Sequence, residues 1–462
     1  MPEKLNSSFR DPSGYMYLQD GEYFRAVSPV YKDNYDYLLS SGLADKLVEN
    51  GMMLPFEEVG TDSALGNDNV YKIIRPEQLS HVSYPYEWCF SQLKDAALMT
   101  LDIHREALSS EMSLKDASAY NVQFHNGKPV FIDTLSFEKF EEGKPWVAYQ
   151  QFCQHFLAPL VLASYVDVTS LKLSRLYIDG IPLDYAAKQL PLRARVRPSI
   201  YIHLVLHAKS QVSHADDNLV KKRNISKNGL LGLIDNLRNL VQSLTWGNVK
   251  TEWGDYYSDT NYSDLSVVEK REVIGEMLEE VSPSTVWDFG GNTGEYSRLA
   301  SMRGIDTLSF DVDYLAIEKS YLRTVEGKEA HISQFVMDLT NPSSDLGWNN
   351  RERMSLVRRG PADATMALAL IHHLCISNNL PLEHVVEFFR AYTRNHLIIE
   401  FVPKSDSQVK RLLSTREDIF VDYVQENFER EFKVVFDIIK AVKISNTERT
   451  IYLMKKRGGE HE

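Results

Sequence analysis

One stretch limits what the chain can fold into: Thr285 to Ser297, Thr-Val-Trp-Asp-Phe-Gly-Gly-Asn-Thr-Gly-Glu-Tyr-Ser. Val286, Trp287 and Phe289 read as a short buried strand, the glycines force a tight turn, and Glu295 to Met302 opens a helix. Strand, glycine-rich turn and helix together bring backbone N–H groups to a helix N-terminus, where an anionic or polar ligand is held. The spacing Asp288-x-Gly290-x-Asn292-x-Gly294 is not the dinucleotide pattern Gly-x-Gly-x-x-Gly. The strands downstream of the turn decide its meaning.

Thr307 to Phe310 is a second short strand, ending at Asp311 and Asp313. Ile332 to Met337 is a third, ending in Asp338, and Ala362 to Leu370 a fourth, ending in Ile371-His372-His373-Leu374. Leu397 to Phe401 comes after a helix over Leu382 to Arg394, and Phe432 to Ala441 with Arg449 to Lys455 supply a last pair. A helix over about Ser266 to Glu280 precedes the whole series. Strands at this helix-separated spacing are what a right-handed, doubly wound sheet requires, and such a sheet presents ligands at the carboxyl ends of its strands.

The acid before the Gly290-x-Asn292-x-Gly294 turn resembles motif I of the class I S-adenosylmethionine (SAM)-dependent methyltransferases, and the strand-end acids continue that pattern from about Trp253 to Lys456. The resemblance implies an α/β fold: a C-terminal Rossmann-like, seven-stranded class I methyltransferase sheet with its last strand antiparallel, behind an N-terminal α+β/helical accessory domain. It implies SAM as cofactor. Asp288, Gly290, Asn292 and Gly294 would hold its methionine portion, Asp311 the ribose with Asp313 in reserve, and Asp338 the adenine amine or else a loop cap. Leu368 to Leu370 would line the sulfonium. Tyr257 and Tyr262, in the aromatic segment before the first helix, either cover the cofactor or pack that helix onto the sheet.

A hydroxyl acceptor would benefit from a base. His372, His373 and Glu400, at the ends of the fourth and fifth strands, are the candidates, with a pocket-wall or structural role as the alternative for the histidines. His331, His384 and His396 share no metal-ligand spacing with Cys or acids, so no metal is expected. The phrase Glu400-Phe401-Val402-Pro403-Lys404-Ser405-Asp406 resembles bacterial methyltransferases from nodulation and related glycoconjugate contexts.

The N-terminal half reads as strands and hairpins with one short helix near Asp33 to Glu49, then a helix over Glu87 to Leu108. Asp116 and Asn121 stand five apart, a turn at His125-Asn126-Gly127-Lys128 comes next, and the strand Pro129 to Ile132 ends at Asp133. That order resembles the catalytic and metal-binding segments of protein kinases and aminoglycoside phosphotransferases. No glycine-rich phosphate loop precedes it, and Leu114-Lys115 replaces the usual His-Arg. Lys72 is the one candidate for a strand lysine, and a plain hairpin with Asp and Asn capping turns remains the alternative. Leu171 to Asp184 looks like a helix ending near Gly180, and Leu230 to Leu244 is amphipathic behind the basic cluster Lys221-Lys222-Arg223.

At 462 residues two domains are expected, 1–245 for accessory or substrate-selecting work and 246–462 for methyl transfer. A net charge of −13 weighs against nucleic acid as partner. The apolar run around Phe156 to Val166 is too short to span a bilayer, so no membrane insertion is expected. Cys89, Cys153 and Cys375 match no metal spacing and read as small buried hydrophobes in a reducing compartment. The polar N-terminus lacks a signal-peptide pattern, which points to the cytoplasm. The expected function is SAM-dependent methylation, at oxygen, of a small-molecule or glycan-type acceptor. The alternatives are a non-catalytic SAM-binding or assembly module, and a bifunctional chain with phosphotransfer at Asp116, Asn121 and Asp133.

Overall fold

The computed structural model describes residues 3–60, 69–206, 225–247, 264–414 and 417–458. It divides into two units, Met1–Asn248 with Asp345–Arg353, and Val249–Ser344 with Met354–Glu462. The short segment Asp345–Arg353 is thus distant in sequence from the rest of the first unit but packs within it.

The first unit opens with strands β1 (Glu3–Lys4), β2 (Gly14–Gln19), β3 (Glu22–Val27), β4 (Phe56–Val59) and β5 (Lys72–Pro76), an antiparallel sheet in the order β1-β2-β3-β5-β4. Asp20 and Gly21, at φ 52° and 86°, make the tight β2–β3 turn that an Asp-Gly pair favours. Between β3 and β4 the chain forms two helices, Lys32–Ser40 and Leu43–Glu49, where the sequence suggested one. The break falls at Gly42, whose φ of 72° no helix interior accommodates.

The helix Phe90–Ser109 then buries Leu93, Ala97, Leu101 and Leu108 on one face. Behind it come two small antiparallel pairs, β6 (Met112–Leu114) with β9 (Phe137–Lys139) and β7 (Val122–His125) with β8 (Lys128–Phe131). The helix suggested over Leu171 to Asp184 does not form as one piece. A 3-10 turn, Val168–Lys172, runs into the short helix Leu173–Leu176, and the chain leaves helical geometry at Tyr177 ahead of Gly180 and Pro182. The helix Lys227–Ser243 comes next; Lys221, Lys222 and Arg223 lie outside the described residues. All three cysteines are buried, and among the described residues no helix is long and apolar enough to cross a membrane.

The second unit is a seven-stranded mixed sheet built from β10 (Thr285–Phe289), β11 (Asp306–Asp311), β12 (Ile332–Val336), β13 (Ala362–Ala367), β14 (Thr393–Phe401), β15 (Phe436–Lys443) and β16 (Thr450–Lys456). Their order is β12-β11-β10-β13-β14-β16-β15. The first five are parallel, and β16 runs antiparallel to both neighbours. The sheet has the seven strands, with one antiparallel to its neighbours, that the sequence reading expects. The apolar face of the helix Asp264–Val281 (Ile274, Met277 and Leu278) packs on Val286, Met366, Ile398 and Leu453. Each fully buried side chain of that size contributes about 1.5–3 kcal/mol of transfer free energy. Strand β13 ends at Ala367, three residues short of the expected Leu370. Ala369 turns into the left-handed region at φ 50°, which ends pairing and lays Leu368 to Leu370 along the sheet's carboxyl edge.

The strand order reverses between β10 and β13, and such a reversal opens a crevice at the strand ends. Beside it the core holds charge. Lys270 Nζ lies 2.7 Å from Glu400 Oε2, with side chains 2% and 0% exposed. Arg449 Nη1 stands 3.9 Å from the same carboxylate, and its Nε bonds Asp406 at 2.8 Å. Removing one member of a buried pair strands the other charge. Lys270→Met should therefore destabilise the protein by about 3–5 kcal/mol, whereas Lys270→Met with Glu400→Leu should recover most of that loss. Urea unfolding of wild type, single and double variants measures both.

Candidate functional site

After β10 the chain turns sharply. Gly290 N and Gly291 N both donate to Phe310 O on β11, at 2.8 and 3.0 Å, so the turn is hydrogen-bonded to the neighbouring strand. Gly291 is where the two segments meet. A Cβ there would collide with Ser309 Oγ and stand 3.1 Å from both Asp288 Oδ2 and Ser297 Oγ. Gly294, at φ 80°, closes the turn against Arg298 and Ser320. The helix begins only at Ser297 and runs five residues to Ser301, not from Glu295 as the sequence suggested; residues 293–296 remain in turn conformation.

The strand-end acids have distinct surroundings. Asp288 is 2% exposed and lies beneath the turn, where it accepts a 2.6 Å hydrogen bond from Ser297 Oγ. Burial pushes its carboxyl up to about 7, only partly opposed by that bond. Asp311, at the end of β11, accepts from Asn292 N and Asp313 N, each at 2.9 Å. Burial raises it to about 6 against those two amides. Asp313 caps the helix Tyr314–Gly327 by accepting from Leu315 N and Ala316 N at 2.7 and 3.2 Å. Asp338, after β12, accepts from Thr340 N and Oγ1 at 2.9 and 2.6 Å.

A cleft of about 450 Å³ lies at the carboxyl ends of β10, β11, β12 and β13. Of the residues singled out from the sequence, Gly290, Asn292, Asp311, Asp338, Leu368 and His373 line it. Asp288, Gly294 and Asp313 do not line it: Asp288 lies under the turn, Gly294 closes the turn, and Asp313 caps the helix that follows β11. Tyr257 and Tyr262 lie outside the described residues. Two of the three candidate bases are placed elsewhere. His372 is 1% exposed, its Nδ1 has no hydrogen-bond partner, and burial holds its pKa well below the usual range. Glu400 is committed to Lys270 inside the core. His373 does reach the cleft, but burial and the nearby Arg449 lower it to about 4, so it is neutral at pH 7.

Sequence inspection passed over Val312, Met337, Leu339, Ser377, Asn378 and Leu412, which also line the cleft. Leu412 comes from the helix Ser407–Leu413, far along the chain, and no local pattern marks it. Thr340 was legible in principle, since Asp-x-Thr is a familiar side-chain turn.

The first unit holds a separate cleft of about 430 Å³, and Asp116, Asn121 and Asp133 all line it. Ser118 N donates to Asp116 at 3.0 Å; Asn121 Nδ2 donates to Ser136 Oγ at 3.2 Å, and that hydroxyl donates to Asp133 Oδ2 at 2.6 Å. The remaining oxygen of Asp133 faces Arg25 Nη1 at 3.0 Å. Lys72 is not part of this group: it pairs with Glu58 on the adjacent strand at 2.5 Å. Among the described residues no three His, Cys, Asp or Glu side chains are arranged to hold a metal.

No protein-family model matches the sequence. The chain is 31% identical over 463 residues to the nodulation protein NoeA of Rhizobium meliloti (strain 1021), covering 98% of this chain and 96% of that protein. Among solved structures, magnesium protoporphyrin IX methyltransferase (ChlM) from Synechocystis PCC 6803 with bound SAH matches 44% of this chain and 93% of its own at 16% identity, with a TM-score of 0.32. The N-methyltransferase NodS from Bradyrhizobium japonicum WM9, in complex with S-adenosyl-L-homocysteine, matches 45% of this chain and 94% of its own at 12% identity, with a TM-score of 0.33.

The geometry of the turn and its acids leads to two expected outcomes. Gly291→Ala must push the turn off β11, and should lower the melting temperature by several degrees while Gly232→Ala, in open space on a helix, should not. Asp288 has a raised folded pKa, so it binds a proton when folded that it releases when unfolded, and the stability it contributes falls as pH rises from about 4 to about 7. Asp288→Asn should therefore melt higher than wild type at pH 8, with the gap shrinking toward pH 5, as read by paired thermal melts.

Proposed function

The chain belongs to the family of the nodulation protein NoeA, and we propose that its second unit is a SAM-dependent methyltransferase acting on a small-molecule or glycan-type acceptor, at oxygen. One observation carries this: the glycine turn, Asp311 and Asp338 converge on a single cleft at the point where the strand order reverses. The donor set fits the cofactor. Asp311, with one carboxylate oxygen on each backbone amide, keeps further lone pairs for a pair of ribose hydroxyls. Asp338 offers an acceptor to an adenine amine, and Asn292 with the adjoining turn addresses an amino-acid head group.

SAM held by the turn, Asp311 and Asp338 would supply an activated methyl group, and its sulfur would accept the bonding pair when an acceptor oxygen takes the methyl. The chain's own work is placement and exclusion of water. Leu368, Leu370, Leu374 and Leu412 give the cleft its apolar wall. His373, neutral at pH 7, presents a hydrogen-bonding imidazole rather than a strong base, and the acceptor proton passes to it or to solvent as the new bond forms. Asp288 acts through the turn above it. The first unit selects the acceptor.

Calorimetry with SAM tests the reading, and absence of binding would sink it. Asp311→Ala should weaken SAM about 10- to 100-fold, the scale of a lost hydrogen bond to a charged group. Wild-type affinity should decline as pH falls below about 6, because protonation of Asp311 removes acceptor capacity. Incubation with methyl-labelled SAM and fractionated cell extract identifies the acceptor, and an oxygen-linked label is the expected product.

A further inference from the structure

The cleft of the first unit has a charge arrangement that the proposed methyl transfer does not use. Most of its ionic groups neutralise one another. Arg25 bridges Asp11 at 2.5 Å and Asp133 at 3.0 Å, and Arg10 holds the buried Glu352 at 2.7 Å. Among the described residues, two cations of the cleft are left with no carboxylate partner, Lys115 and Arg353. Lys115 Nζ donates to Ser13 Oγ at 2.6 Å and stands 4.6 Å over the Tyr31 ring; the Arg353 guanidinium lies 4.0 Å over the Tyr120 ring. Ring faces hold these cations in place without cancelling their charge. One carboxylate, Asp116, is left without a cationic partner among the described residues, and its hydrogen bonds come from Ser118 N and the side-chain amides of Gln151 and Asn121.

An unneutralised pair of cations beside a lone carboxylate suits a ligand that carries both an anionic group and hydroxyls. The wall's aliphatic surface is limited to Pro12, Leu135 and Ile178, and its aromatic rings are engaged: Tyr120 faces the Arg353 guanidinium at 4.0 Å and meets His155 edge-on at 6.0 Å. A divalent ion would need Asp133, whose oxygens are already engaged by Arg25 and Ser136. We propose that this cleft binds a hydroxylated anion of the sugar-phosphate or sugar-acid class without a divalent metal, with Lys115 and Arg353 on the anionic group and Asp116 accepting from a hydroxyl.

The test is calorimetry of the full chain in EDTA with glucose 6-phosphate, glucuronate and uncharged glucose, and separately with ATP plus magnesium. Saturable binding of either anion, at least about tenfold tighter than glucose and weakened by salt, is expected. Preference between the two anions separates phosphate from carboxylate. Lys115→Gln and Arg353→Gln should each lower that affinity about tenfold, and Lys115→Arg should retain it. Thermal melts of each variant confirm that it is folded, and SAM binding should be unchanged in all of them. No binding of either anion, binding no tighter than glucose, or magnesium-dependent binding of ATP alone would overturn the proposal.

Discussion

How closely the turn after β10 can lie against β11 governs the second unit. With no side chain at Gly291, the turn drops far enough for its amides to reach Phe310 O, which seats Asn292 N on the Asp311 carboxylate. The same closeness buries Asp288 under the turn, where Ser297 reaches it. Strand pairing, turn geometry and the state of two carboxylates therefore rest on one missing methyl group. Close packing leaves no slack by which a neighbour could accommodate it.

Much of this was open to inspection in the amino-acid order. The strand-ending acids, the glycine turn and the apolar strands carry strong periodic signals, and Gly290, Asn292, Asp311, Asp338 and Leu368 meet in space as well as in pattern. The failures have physical causes. A His-His pair after a strand looks like two available bases, but sequence does not report that burial keeps the first inside the core, while only the second reaches the cleft and as a weak base. Glu400 looked equally available until Lys270, 130 positions away, arrived beside it. Helix and strand ends were misplaced where one left-handed residue, Gly42 or Ala369, cut a periodic stretch short.

The N-terminal half shows the opposite balance. Its hairpins were legible from Asp20-Gly21 and Asn126-Gly127, whose left-handed φ values make the turns. Its site was legible only in part, because Arg25 enters from β3 and Arg353 from far along the chain. A carboxylate's partner decides its chemistry, and Asp133 shows how an arginine can occupy the position that composition alone would leave to a metal.

The placement of Asp345–Arg353 bears on how the gene can be cut. Leu346 and Arg353 exchange backbone hydrogen bonds at 3.0 and 3.1 Å, which closes the excursion into a loop, and Leu356 N rejoins Ser343 O at 2.8 Å where the short helix Leu356–Arg359 begins, ahead of β13. A polypeptide stopped at residue 248 would leave Arg10 without Glu352 and Tyr120 without its cation. Neither half corresponds to a continuous reading frame, so dissecting the protein into separately expressed pieces calls for grafting this loop back as a tether, or supplying it as a free peptide.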